Sequence, residues 1–429
     1  MADKDLTTFL SNWAKAINRK IENREIKLLD TLTITEDGVY ELSPDLTGTI
    51  NVQASNVKFV GDSDKIYNNQ FTVATENAKV CLKDINCNYS YFFIEFPTTG
   101  TKNELIIEGS CTITRTSGFY RAGINIGGGL KISGTGTLNI NHNSEYAQNA
   151  SISATPNHNA SLYVGGSVTI TTDYIGACGL DRGYIDGNIV IYENAVVNAY
   201  LIGQGGSQQV DDRPMKDIII CGNAIVHSDF IGTGRDSHGV VGNIIIGGSS
   251  QVTVVGVNNT STNMYTAGIG AGRANGGGTT YYRGSSCKNI IIGENATVVA
   301  QGIPAIGAAG QSTSTATSSC GNIVIGGNAK VTASAMPPYT PISYYYAYAV
   351  IGTGGGGRCG NVTFGGNAVV NIQNSKSKLV GAGRYYDIYG SIGTIRYGTN
   401  AKVNGSYGTT SGLDDVGFNI ISEEVLNYY

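Results

Sequence analysis

The proton-transfer groups of this chain are 32 Asp and Glu residues and four His. Glycoside hydrolysis needs two carboxyl groups a fixed distance apart. Lyase chemistry needs acids that can hold calcium and a basic group that can take a proton. Between Asp236 and Asp387 the only acid is Glu294. The other candidates gather upstream: Asp173, Asp181, Asp186, Asp211, Asp212, Asp229 and Asp236, with His227 and His238 nearby. If the chain is an enzyme, the expected catalytic set is Asp211, Asp212, Asp236 and His238. These stand in Asp211-Asp212-Arg213 and Arg235-Asp236-Ser237-His238, pieces that read equally as solvated corner loops. The acid-poor stretch that follows favours a role without catalysis.

Binding chemistry is better supplied. Tyr accounts for 26 residues and Trp for one. Tyr281, Tyr282, Tyr344, Tyr345 and Tyr346 fall in irregular segments, where recognition surfaces usually lie. Arg235, Arg273 and Arg384 each follow a Gly-x-Gly, and Arg358 follows a longer glycine run. Stacked, they form a basic stripe suited to anionic sugars or to a partner's carboxylates. Alternatively each snorkels over its neighbour. The glycine runs lack the Lys-Ser/Thr and the helix of a phosphate loop. Eight Cys occur without CxxC or Cys/His clusters, so no zinc site, disulfide framework or cofactor is expected.

These residues are positioned by a repeat. Gly187-Asn188-Ile189-Val190-Ile191 is followed by Asn194-Ala195-Val196, and the phrase returns at Asp217, Asn243, Asn289, Asn322 and Asn361. Each copy reads as a short β-branched strand, a Gly/Asn turn and a second short strand. A third piece follows, as in Leu201-Ile202-Gly203 or Val350-Ile351-Gly352. Three short strands and three corners make one rung of a solenoid, and only stacking can bury its apolar face. The expected fold is all-β, a parallel β-helix with a short N-terminal α-helix. Uneven spacing places insertions at corners, in 256–286, 311–319, 336–348 and 373–379.

Stacking predicts ladders. Asn194, Asn223, Asn295, Asn328, Asn367 and Asn400 share one register, where Asn tolerates the left-handed conformation and amides can bond from rung to rung. Cys287, Cys320 and Cys359 recur likewise. Their expected rung spacing permits a disulfide, but a buried thiol stack is the favoured reading.

Composition agrees with this architecture. Glycine is 60 of 429 residues and proline only 8, which favours tight turns over disordered linkers. The net charge of −4 points away from nucleic acid. No apolar run suits membrane insertion, and no signal peptide is read at Met1-Ala2-Asp3. Residues 1–29 hold an amphipathic helix over 5–29, with Leu6, Leu10, Trp13 (or Ala14), Ile17 and Ile21 on one face. It serves as a cap, an oligomerisation stem or a virion attachment. The expected layout continues with irregular β rungs over 30–110, the main solenoid over 111–410 and a C-terminal cap over 411–429.

The N-terminal helix, the Gly/Ser/Thr/Asn-rich solenoid and the Tyr-bearing corners resemble phage tail fibre and tailspike proteins. The Gly-Asn-Ile-x-Ile-Gly-Gly-Asn-Ala-x-Val phrase is also similar to Gly-rich β-helix repeats of bacterial surface proteins. The resemblance covers about residues 100–410 and implies architecture more than activity. It implies a homotrimer joined to other virion proteins through its N-terminus and assembled in the host cytoplasm. Its corner loops would meet a host-surface glycan or protein. A polysaccharide-degrading lyase or glycoside hydrolase is the alternative, and a bacterial surface adhesin the second.

Overall fold

The structure is a computed structural model. It describes residues 26–28, 32–90, 92–116, 122–142, 152–154, 159–177, 184–205, 214–234, 239–256, 266–272, 284–310, 317–335, 346–347, 349–373, 378–385 and 388–421. Among these the protein is all-β and solenoid-like, built of long parallel sheets with no helix. Most of the amphipathic N-terminal segment lies outside the described residues. Its end is a strand, Ile26–Leu28, paired in parallel with Gly38–Glu41. Here sheet pairing overrides the helical period.

The repeated phrase is the origin of the sheets. Its Ile/Val triplets Ile189–Ile191, Ile218–Ile220, Ile244–Ile246, Ile290–Ile292, Ile323–Ile325 and Val362–Phe364 stack in register. They belong to a 14-stranded parallel sheet. The first and third side chains of every triplet point inward and are fully buried. Each buried Ile contributes about 1.5–3 kcal/mol, and its neighbours above and below supply the contact. The first layers fill the same core with rings instead. Phe59 meets Phe71 at 4.8 Å and Phe71 meets Phe93 at 5.3 Å.

After each triplet a turn leads into a 22-stranded sheet. That sheet has two rows, which merge in the long strands Thr169–Ala177, Val196–Gln204 and Ile225–Thr233. A five-stranded sheet runs from Val240–Val241 to Ser391–Ile392. At the turn, the left-handed residue is not the recurring Asn as expected. It is the residue before it: Gly222, Gly248, Gly327 and Gly366, or Glu193 and Glu294. The Asn backbone is thereby left free to enter the next strand.

The third strands carry a column of glycines: Gly176, Gly203, Gly232, Gly270, Gly307, Gly352 and Gly381. Gly307 shows why no side chain is tolerated. Its φ is +137°, and a Cβ there would overlap the carbonyl oxygen of Gly352.

The far end differs from expectation. Lys402–Val403 and Ser406–Tyr407 close it as an antiparallel hairpin. Residues 413–421 do not cap it but run back along the body, against the order of the layers. Gly366 donates to the Leu413 carbonyl (2.8 Å), Gly327 to that of Val416 (2.7 Å) and Glu294 to that of Gly417 (2.7 Å). An apolar segment can lie there because the turn backbones offer unpaired N–H groups.

Two alanine substitutions separate the steric cost at a close approach from the cost of a left-handed backbone alone. Gly307→Ala is expected to lower stability by about 2–4 kcal/mol. Gly405→Ala, at φ +83° with open space around it, is expected to lower it by about 1 kcal/mol. Urea unfolding followed by far-UV circular dichroism measures both.

Candidate functional site

Two amide ladders fix the corners from which the surface is built. Along the first, Asn223 donates to Asn194 (3.1 Å), Asn328 to Asn295 (3.0 Å) and Asn367 to Asn328 (3.0 Å). The layer between Asn223 and Asn295 carries Ser249 instead. Asn400 donates to Asp414 of the returning segment at 3.1 Å. The second ladder was legible only as a spacing. There the side-chain oxygens of Asn188, Asp217, Asn289, Asn322 and Asn361 each accept the backbone N–H of the next layer. Asn289 also donates to Asn243 at 2.9 Å.

The Cys287, Cys320 and Cys359 column is in register, and its thiols are free and buried. Val241 precedes it and Ile392 follows it in the same column, so the thiols fill an apolar slot. Contacts with the Cys287 and Cys359 thiols, and then burial, hold the Cys320 thiol well above its ordinary range.

Most predicted site residues lie outside the described residues. These are Asp211, Asp212, Asp236, His238, Arg235, Arg273, Tyr281, Tyr282, Tyr344 and Tyr345. The described arginines do not form a stripe. Arg358 stands between Ser319 and Ser391 in the five-stranded sheet, whereas Arg384 belongs to a separate antiparallel sheet. That sheet joins two corner insertions: Tyr346 pairs with Tyr385, and Arg384 pairs with both Ala347 and Tyr389. The Arg384 guanidinium lies 4.9 Å from the centre of the Tyr389 ring. Tyr389 is 65% exposed. An exposed cation over an exposed ring offers charge and a flat apolar face together.

A second surface comes from the acids that sequence reading left among the minor candidates. In the merged strands, Asp173, Tyr200 and Asp229 stand at the same place in three successive layers, each between two paired positions, and none of the three is buried. Tyr200 meets Tyr174 and Phe230 edge-on, each at 5.4 Å. Burial raises the Asp229 carboxyl above its ordinary value. Two strand spacings separate the acids, about 10 Å between Cα atoms. The adjacent outward column reads Asn86, Thr112, Asn139, Thr171, Asn198, His227 and Thr253. This adjacent column is hydrogen-bonding throughout and carries no acid, Lys or Arg. No single copy shows it, because each layer gives one residue per column.

No group of acids, His and Cys among the described residues is arranged to hold a metal ion. No described helix is long and apolar enough to cross a membrane. Comparison with known protein families, with curated proteins and with solved structures gives no match.

Asn328→Ala removes two ladder bonds and is expected to lower stability by about 1–2 kcal/mol. Tyr389→Ala is expected to stay within about 0.5 kcal/mol of the parent. The urea midpoint checks both, and a folded Tyr389→Ala protein is then usable in binding assays.

Proposed function

We propose that the chain is a parallel β-helix with three short strands per rung, begun by the N-terminal amphipathic helix, and that it serves as a non-enzymatic fibre or spike of a virion. In this reading it is a homotrimer attached to other virion proteins through its N-terminal segment. It meets a host-surface glycan or protein with its corner loops.

The observation that supports this reading is where the connections lengthen. The turn from the 14-stranded to the 22-stranded sheet stays short in every copy from 192–195 to 398–401. The connections that lead into a separate third strand run from three residues (303–305) to thirteen (256–268), and those that lead out of one run from four (354–357) to fourteen (272–285). Connection lengths are thus uniform on one side of the coil and uneven on the other, a division that suits a display scaffold. The paired Arg384 and Tyr389 belong to the uneven side.

Sedimentation equilibrium of the full chain tests the assembly. Three times the 44.9 kDa chain mass is expected, with one chain mass after removal of residues 1–25. A monomeric full chain that holds its shape overturns the fibre reading.

A second reading rests on Asp173, Tyr200 and Asp229. Asp229, whose carboxyl burial raises above its ordinary value, would donate a proton to a leaving sugar oxygen, and Asp173 would activate water. Inverting glycosidases hold their carboxyls roughly 6.5–9.5 Å apart, a range the side chains of these two strands can reach. In that case reducing ends appear from a glycan panel, and both Asp229→Asn and Asp173→Asn lower their release by about 100-fold or more. Absence of any release by the parent chain sinks this reading.

A further inference from the structure

The surfaces of the coil differ in what they leave open. The edge between the 14-stranded and 22-stranded sheets is filled by the chain itself. A side chain on Gly293 would strike the Gly417 carbonyl, one on Gly326 that of Val416, and one on Gly365 that of Leu413. The outward face of the 14-stranded sheet is charged in its early layers. Lys79 pairs with Glu104 at 3.3 Å, Lys58 pairs with Glu108, and Lys131 stands beside Glu104 in the next layer. Such ion-paired faces are ordinary solvated surface.

A second outward face spans the same layers, on the strands Asn86–Tyr89, Ser110–Arg115, Thr137–His142, Thr169–Ala177 and Val196–Gln204. Its middle column runs from Asn86 to Asn198. Ser110, Thr137 and Thr169 flank that column on one side, and Asn88, Thr114 and Asn141 on the other. None of these positions is buried, whereas Cys111, Ile113, Leu138 and Ile140 between them are sealed in the core. Every residue of this array is Ser, Thr or Asn. The array does not satisfy itself. Corner Asn ladders bond from layer to layer at 3.0–3.1 Å. Among the described residues the array side chains make only two bonds, both long. Asn86 donates to the Ser63 carbonyl at 3.4 Å and Asn198 to Thr171 at 3.5 Å. The donors and acceptors of Thr112, Thr114, Thr137, Asn139 and Asn141 are thus turned to solvent on a fixed grid. Its spacings are about 4.8 Å between layers and about 6.4–6.8 Å between alternate residues of a strand. Two residues beyond Asn198, Tyr200 presents a ring that is 38% exposed and braced edge-on by Tyr174 and Phe230.

We propose that this face binds an extended neutral polysaccharide of the β-1,4-linked kind, laid along the stacking axis, with sugar hydroxyls on the Ser, Thr and Asn side chains and one ring face on Tyr200. A sugar hydroxyl both donates and accepts, as do a Ser or Thr hydroxyl and an Asn amide, so the two sets match without any ion. An anionic or cationic glycan finds no counter-charge on the array, and its charges would lose water for nothing. An extended pyranose chain advances by about one layer spacing per sugar, so successive sugars meet successive layers in the same way. Each hydrogen bond that replaces one to water gains little, so affinity rises with the number of sugars engaged. The grid is set by strand pairing before the ligand arrives, which keeps the ordering cost on the protein side low. This face is separate from the corner loops, and binding on it requires neither a virion role nor cleavage of the glycan.

Affinity electrophoresis of the full chain through hydroxyethyl cellulose, galactomannan and xylan, with polygalacturonate as the charged control, tests the face. At least one neutral polymer is expected to retard the chain, and polygalacturonate is not. Retardation is expected to stay within about twofold when salt is raised to about 0.5 M, because no charge is engaged. The double variant Thr112→Ala, Asn139→Ala is expected to weaken it at least tenfold. No retardation by any neutral polymer overturns the proposal. Retardation that is lost in salt, or that Arg384→Ala abolishes while the double variant keeps it, places the glycan on the corner loops and overturns it as well. If the double variant fails to fold, hydroxyl-radical footprinting of the parent chain decides, with the hexasaccharide of the polymer that retards it. Protection of the peptides holding Thr112, Asn139 and Tyr200 supports the proposal. Protection elsewhere, or none, overturns it.

Discussion

Everything in this protein depends on one repeated contact: an inward Ile or Val resting on the same residue of the layers before and after it. A single layer has several such side chains, such as Ile189, Ile191, Val197 and Ile202, and no partner for them. Its burial is supplied wholly by stacking. This requirement sets the rest. The sheets must be parallel and in register, so every position in the phrase becomes a column. Columns then amplify small chemical choices. An Asn becomes a line of amide bonds, a Cys a buried thiol stack, and a Gly a seam along which backbones touch.

The division of the surface follows from the same constraint. The edge between the 14-stranded and 22-stranded sheets is held short by turn geometry and is occupied by residues 413–421. It has little room for insertion, since any added side chain meets a neighbouring backbone. The corners around the third strand carry no such load. From Ile189 onward the described chain lengthens only there, and the small antiparallel sheet of Arg384, Tyr385 and Tyr389 shows two insertions pairing with each other outside the coil.

How much of this was legible in the residues alone depended on whether a signal repeats. The Ile triplets, the two Asn positions and the Cys column recur at fixed places in the phrase, and the parallel sheets follow from them. The first layers were harder to read because Phe59, Phe71 and Phe93 fill the core where later copies use Ile. The Asp173, Tyr200 and Asp229 column was missed because its residue type changes with each layer. The groove under residues 413–421 was hidden more deeply. Gly293, Gly326 and Gly365 read as ordinary turn glycines, and nothing local says that a distant stretch of chain fills the space their side chains would take. The left-handed turn residue was misplaced by one position, since both Asn and Gly adopt that conformation and only the backbone decides between them.

The direction of the returning segment bears on the order of events during synthesis. Layers can form one after another as the chain emerges, each templated by its predecessor. Residues 413–421 bind layers made long before them, so the groove stays open until those residues have left the ribosome. Assembly therefore has two phases of different kind: a progressive winding that keeps pace with translation, and a single closing step that must wait until residues 413–421 have emerged. A nascent chain halted before that step would be fully wound yet still bare along one edge, with its turn N–H groups open to other extended segments.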